Sequence, residues 1–294
     1  MKIAFVGASG YGNVGDDTYP LVFAQQLPEH ELVIYNSDLP AALPDDLGLL
    51  VLGGGGILYN NPKDGAVDAE SPHFRAMKFY MDAAIARGIP WGILSCGFQF
   101  QINREAEYAT ALRPWVPYLK QAAFITLRSP NCVRIAQEIS GRDDAQFFPD
   151  AAYLYQPKVE ADQRAVTLVP AGLVNARNTL INHYIRHFAA SGTPTRWLGM
   201  GAPVDDDKLL AEVAERFPQS QIIARPGPQA AFEIIARSRF VLTGRYHGMI
   251  FARVSRVPFI TPVDSPYKIR MEDLNADISS AIGHFEVLRR FLPR

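Results

Sequence analysis

The stretch Thr243 to Pro258, TGRYHGMIFARVSRVP, carries the residues best suited to chemistry. An apolar segment, Phe240 to Leu242, runs directly into Gly244, Arg245, Tyr246 and His247, and a helix is expected from Gly248 onward. A strand that ends in an Arg and a His at the mouth of a helix can hold an anion. The helix N-terminus offers unbonded N–H groups and a partial positive charge. Arg245 adds a forked, permanently charged clamp, and His247 adds a proton donor that works near neutral pH. Together with Gly248, these residues suit a small phosphorylated substrate. The plain alternative is a salt bridge beside a core histidine.

Three other constellations stand at expected strand ends. GASGYGNVGDD, Gly7 to Asp17, follows the first strand and precedes a helix, which is the place for a phosphate-binding turn. Its glycines start too far past the strand for a dinucleotide fingerprint, and no GKS or GKT marks a P-loop. Asn13, Asp16 and Asp17 are candidate substrate-binding residues, with an N-cap as the structural alternative for the two aspartates. GGGGI, Gly53 to Ile57, leaves bare backbone at Gly54 and Gly55 that can line up N–H groups toward an anion. In TLRSP, Arg128 ends a strand and is a candidate second cationic anchor, the alternative being a surface salt bridge. Asp150, in FFPDAAY, reads as a structural hydrogen bonder before a catalytic one. Lys268, in SPYKI, is placed to swing back toward His247. His73 follows a polar segment, Tyr59 to Ser71, that has the makings of an acceptor-binding loop. His30, His183, His187 and His284 fall on presumed helix faces or loop ends.

These positions need a scaffold. Short apolar strands alternate with amphipathic helices throughout, which reads as α/β with parallel sheets. Strands are expected at Ile3–Gly7, Glu31–Asn36, Leu49–Gly53, Trp91–Ser95 and Ile125–Arg128, with helices between them. Pro114 and Pro117 are expected to break or kink a helix spanning Glu105–Lys120. A polar stretch around Tyr155–Gln163 reads as a linker, and a second series begins at Ala165. The expected organisation is an N-terminal Rossmann-like domain over 1–155, a second over 164–275 and a helical tail over 276–294. Two such domains facing a central cleft bring the carboxyl ends of both sheets together, where ligands of open α/β sheets bind.

Composition narrows the classes. The chain has 294 residues, 48% hydrophobic and 20% charged, with a formal net charge of -1, so no overall basic character speaks for nucleic acid as a partner. Cys96 and Cys132 have no metal-ligand spacing and make no disulfide framework, which favours a reduced, cytoplasmic setting. The apolar run of MKIAFVGASG is too short for a signal peptide and leads into a Gly-rich loop rather than a cleavage site. No stretch approaches the ~20 apolar residues of a membrane span, which leaves room only for peripheral contact with the inner membrane face.

The ordered set GNVGDD, GGGGI, TLRS with PDAAY, GRYHGMIFA and SPYKI resembles the polysaccharide pyruvyl transferase family, from Gly12 to about Leu274. The resemblance implies a glycosyltransferase-B-like fold and transfer of a pyruvyl group from phosphoenolpyruvate onto two hydroxyls of a sugar, giving a cyclic ketal and phosphate. It implies that Arg245 and His247 bind phosphoenolpyruvate and assist its protonation. Phosphoenolpyruvate is then a co-substrate and no cofactor or metal is required. The donor carries about three negative charges, which Arg128, Arg245 and Lys268 can meet. Asp16, Asp17 and His73 are the candidates for an acceptor-side base. The acceptor is a sugar of a cell-surface polysaccharide or its precursor, lipid-linked, nucleotide-linked or already polymerised. The competing expectation is a glycosyltransferase of the same architecture using a nucleotide sugar.

Overall fold

The computed structural model describes residues 1–37, 40–60, 70–98, 112–157, 159, 165–170, 183, 186–188, 190–201, 203–261, 263, 269 and 271–293. The chain forms two compact units, one of Met1–Ser9, Tyr19–Leu154 and Asp277–Arg294, the other of Gly10–Thr18 and Tyr155–Ala276. The turn after the first strand thus belongs to the second unit, and the C-terminal tail belongs to the first rather than standing apart.

In the first unit the strands are β1 (Lys2–Gly7), β2 (Glu31–Asn36), β3 (Leu47–Leu58), β4 (Trp91–Phe98), β5 (Phe124–Leu127) and β6 (Gln146–Phe147). They form a sheet in the order β2-β1-β3-β4-β5-β6, with every pairing parallel. Parallel strands covered on both faces read as unbroken apolar runs, and β1 and β4 are buried along almost their whole length. The helices are α1 (Tyr19–Gln26), α2 (Pro72–Ala86), α3 (Val116–Gln121) and α4 (Pro130–Ser140). Ser71 starts α2 by accepting the Phe74 N–H at 3.2 Å, and Phe74, Met77, Met81 and Ala84 recur at helical spacing to bury one face. Residues 105–111 of the expected Glu105–Lys120 helix lie outside the described residues. In the described part, Pro114 and Pro117 stand in the first turns of a 3-10 segment, Arg113–Trp115, and of α3, where proline's missing N–H costs nothing.

The glycines of GGGGI also differ from expectation. They lie inside β3, paired with β4 through Gly53↔Leu94 and Gly55↔Cys96, and the register shifts just beyond. Gly54 and Gly55 have φ of +78° and +89°, a backbone that only glycine adopts without strain. This irregularity bends the strand while keeping it in the sheet.

The second unit carries β7 (Ala165–Val169), β8 (Thr195–Leu198), β9 (Gln221–Ile223), β10 (Ser238–Thr243) and β11 (Phe259–Ile260). Their order is β11-β10-β7-β8-β9, again all parallel. Helices α5 (Pro203–Arg216), α6 (Pro228–Ala236) and α7 (Tyr246–Val254) follow β8, β9 and β10. Tyr155 begins the second unit, at the edge of the expected linker, of which residues 158 and 160–163 lie outside the described residues. It is buried, with its ring against Phe232 of α6 and Phe251 of α7. Helix α8 (Met271–Asn275) ends the second unit, and the tail forms a 3-10 segment (Ile278–Ile282) and α9 (Gly283–Arg289) in the first. Phe285 of α9 reaches the core of the first unit, edge-on to Phe23. Among the described residues, no helix is long and apolar enough to cross a membrane.

Candidate functional site

Strand β10 ends at Thr243, and two residues later the chain enters α7. The helix begins at Tyr246, two residues before the expected start, so Arg245 is its N-cap and His247 lies in its first turn. Arg245 has extended backbone (φ -97°, ψ 135°), and no side chain caps the helix. Thr243 secures the bend, its Oγ accepting the Arg245 N–H at 3.1 Å. Gly248 is required by close packing, since a Cβ there would come within 2.2 Å of Thr243 Oγ. Its role is to bring the first turn of α7 against the end of β10.

The Arg245 guanidinium is oriented by a residue that the sequence did not single out. Asp206, in the first turn of α5, pairs with Arg245 Nη2 through one carboxylate oxygen. Its other oxygen accepts the Met200 and Gly201 N–H groups at 2.8 and 2.6 Å. Asp206 is 2% exposed, so these partners replace its lost water. Gly201 lies directly under the guanidinium: a Cβ there would come within 2.0 Å of Nη2. Arg245 Nε is buried with no hydrogen-bond partner among the described residues.

The turn Gly10–Thr18 completes this region. Val14 donates its N–H to the Met200 carbonyl at 3.0 Å, which docks the turn on the loop that Asp206 holds. Gly15 packs on His247, whose side chain is largely buried. Asn13 Oδ1 accepts the Gly15 N–H at 3.1 Å. Asp17 folds back on the turn, its carboxylate accepting the Gly10 N–H at 2.6 Å. Burial pushes the Asp17 carboxyl up from its ordinary range, against the Gly10 and Gly12 N–H groups that hold it down. Asp16 and Asp17 open a 3-10 segment, Asp16–Thr18. Asn13, Asp16, Asp17, Arg245, His247 and Gly248 thus all belong to the second unit, where Gly15 and Val14 link the turn to His247 and to the loop held by Asp206. Lys268 lies outside the described residues.

The remaining candidates stand in the first unit. Arg128 Nη1 meets Asp150 at 3.0 Å and the Tyr19 hydroxyl at 3.3 Å. Tyr19 donates to the same Asp150 oxygen at 2.7 Å, and the other oxygen accepts the Ala152 N–H at 2.9 Å. Asp150 is fully buried, so Arg128 balances a charge that water does not reach. Gly54 packs under the Tyr19 ring, where a Cβ would meet it at 2.2 Å. Beside it Ser95 has a φ of +55°, rare outside glycine, and its Oγ accepts the Ala151 N–H at 2.8 Å. His73 donates from Nε2 to the Ile57 carbonyl at 2.8 Å and stacks on Tyr59 at 4.0 Å. The loop ahead of it is closed at its base by the Ser71 N–H on Asn60 Oδ1, 2.7 Å, while residues 61–69 lie outside the described residues.

Two further groups have shifted titration. His284 is fully buried between the Thr126 hydroxyl (2.8 Å) and the Pro149 carbonyl (3.0 Å), and burial lowers its pKa to about 4. His284 thus lies on α9, as a helix-face residue, with its ring turned into the core. Burial raises the Cys96 thiol to about 12, which makes it inert. Among the described residues, no group of three or more His, Cys, Asp or Glu is set to hold a metal.

No curated protein matches the chain in sequence. Among solved structures, it is similar to the UDP-GlcNAc 2-epimerase of Methanocaldococcus jannaschii in complex with UDP-GlcNAc and UDP. The TM-score is 0.53 at 11% identity, over 100% of this chain and 93% of that one. It is also similar to the S. aureus MnaA–UDP co-structure, with a TM-score of 0.56 at 11% identity over 90% and 79% of the two chains. A third is a putative UDP-N-acetylglucosamine 2-epimerase from Listeria monocytogenes, TM-score 0.55 at 11% identity over 99% and 90%. At such identity the likeness is one of fold, the glycosyltransferase-B class. The polysaccharide pyruvyl transferase family model matches residues 21–265, which span β10, α7, Arg128 and Asp206, and the chain belongs to that family.

Proposed function

We propose that the protein moves a pyruvyl group from phosphoenolpyruvate onto two hydroxyls of a sugar, releasing phosphate. The sugar belongs to a cell-surface polysaccharide or its precursor, carried by a lipid or a nucleotide. The observation that carries this reading is the first turn of α7. There Arg245, whose buried Nε has no hydrogen-bond partner among the described residues, stands at a helix N-terminus without a side-chain cap, with His247 two residues on. Helix end and guanidinium both favour a multiply charged anion.

The chemistry follows from that placement. His247 delivers a proton to the methylene carbon, which makes the adjacent carbon electrophilic. One sugar hydroxyl attacks that carbon, the bond from carbon to the phosphate oxygen breaks, and the second hydroxyl closes the ketal. One hydroxyl proton restores the imidazolium and so replaces the proton now on the methyl group. The other leaves with phosphate. Arg245 offsets the charge of the donor and of the departing phosphate.

Calorimetric titration with phosphoenolpyruvate, with UDP-sugars in parallel, tests the reading. Binding of phosphoenolpyruvate that disappears in Arg245→Ala supports it. Binding of a UDP-sugar with no response to phosphoenolpyruvate replaces it with a nucleotide-sugar glycosyltransferase.

A further inference from the structure

We infer that Asp206 is a positioning residue for the donor anion: it acts on the substrate only through Arg245, by fixing which guanidinium edge stays available. The inference rests on the proposed role of Arg245 as an anion clamp. An arginine has five N–H donors on a long, flexible stem, and its value in recognition depends on presenting a fixed fork. Asp206 removes that freedom. It is itself held by two backbone N–H groups, so its carboxylate cannot rotate to follow the guanidinium. It engages Nη2 and leaves Nε without a partner among the described residues.

Gly201 gives the second constraint, independent of charge. The guanidinium lies so close to its Cα that any side chain at residue 201 would displace it. The same loop accepts the Val14 N–H at Met200. One carboxylate thus sets both the loop beneath Arg245 and the guanidinium above it. The sequence conceals this, because Asp206 lies within the acidic run Asp205–Asp207 at the start of a helix, a pattern that helix polarity explains unaided.

Asp206→Asn separates the two duties. An amide oxygen can still accept the Met200 and Gly201 N–H groups, while its NH2 faces Arg245 and no longer holds it. Phosphoenolpyruvate and inorganic phosphate would be titrated into the wild type, Asp206→Asn, Arg245→Ala and the double variant, alongside thermal melts. The expected result is anion binding weakened 10- to 100-fold in Asp206→Asn at a melting temperature near that of the wild type, with no more binding lost in the double variant than in Arg245→Ala alone. Arg245→Ala alone strands a buried carboxylate and should melt lower than the double variant. Should Arg245→Ala fail to fold, Arg245→Lys replaces it in the same cycle. Wild-type affinity in Asp206→Asn, or losses that multiply in the double variant, would overturn the inference. So would a wild type that binds neither anion. Binding of phosphate without phosphoenolpyruvate, with the same non-additive cycle, would uphold Asp206 while removing the pyruvyl donor.

Discussion

The imidazole of His247 rests on the backbone of Gly15, so closely that a Cβ on residue 15 would come within 2.0 Å of Nδ1. Two residues far apart in sequence thus determine each other's identity. Gly15→Ala should push the ring aside. A misplacement of about 1 Å can cost ~100-fold in rate, so kcat for phosphate release should fall roughly 10- to 100-fold. Stopped-time phosphate assays beside a thermal melt check this. An unchanged kcat in a folded Gly15→Ala protein would separate His247 from the chemistry.

His247 and Arg245 should fail differently. Loss of a general acid costs about 10²–10⁴-fold in turnover, so His247→Ala should lose kcat while still binding phosphoenolpyruvate. Arg245→Ala removes charge-assisted bonds of about 1.5–3 kcal/mol and should raise KM first. Steady-state kinetics with calorimetry distinguishes the two, and equal turnover in His247→Ala would exclude it as the acid.

The buried pair of Arg128 and Asp150 predicts a stability effect. Breaking such a pair by removing one partner costs about 3–5 kcal/mol, so Arg128→Met should unfold at clearly lower urea concentration than the wild type. Restoring neutrality with Asp150→Asn in the same chain should recover part of the loss. A urea midpoint unchanged in Arg128→Met would show that Asp150 is satisfied by Tyr19 and Ala152 alone.

His284 predicts an acid-side loss of stability. Its folded pKa, about 4, lies below the unfolded value. Above about pH 6.5 the ring is neutral in both states and costs nothing. As pH falls below that value the unfolded chain takes up a proton that the native protein refuses, so stability declines. The decline levels off once the native ring titrates as well, near pH 4. The difference amounts to roughly 3 kcal/mol. Denaturation of the wild type and His284→Gln across this range should show a steeper slope in the wild type. Parallel slopes would assign the acid sensitivity to other groups.

Much of the architecture was legible in the amino-acid order. The strands Ile3–Gly7 and Ala165–Val169 are unbroken apolar runs bounded by turn residues, and both head parallel sheets. The two-residue strand Gln146–Phe147 escaped notice because it is too short to show a period. The start of α7 is not legible because its N-cap, Arg245, is not a small polar residue: the helix takes in residues 246 and 247, ahead of the start expected at Gly248.

The sequence by itself determined that Arg245 and His247 meet a helix end, because strand, turn and helix are local and their spacing places the two side chains within one turn. Only the tertiary structure decided what surrounds them. Asp206, Gly201 and Gly15 reach that turn through the sheet order and loop docking of the second unit. Those are long-range contacts, and a buried carboxylate that orients a guanidinium has no local signature to separate it from an ordinary acidic residue in the first turn of a helix.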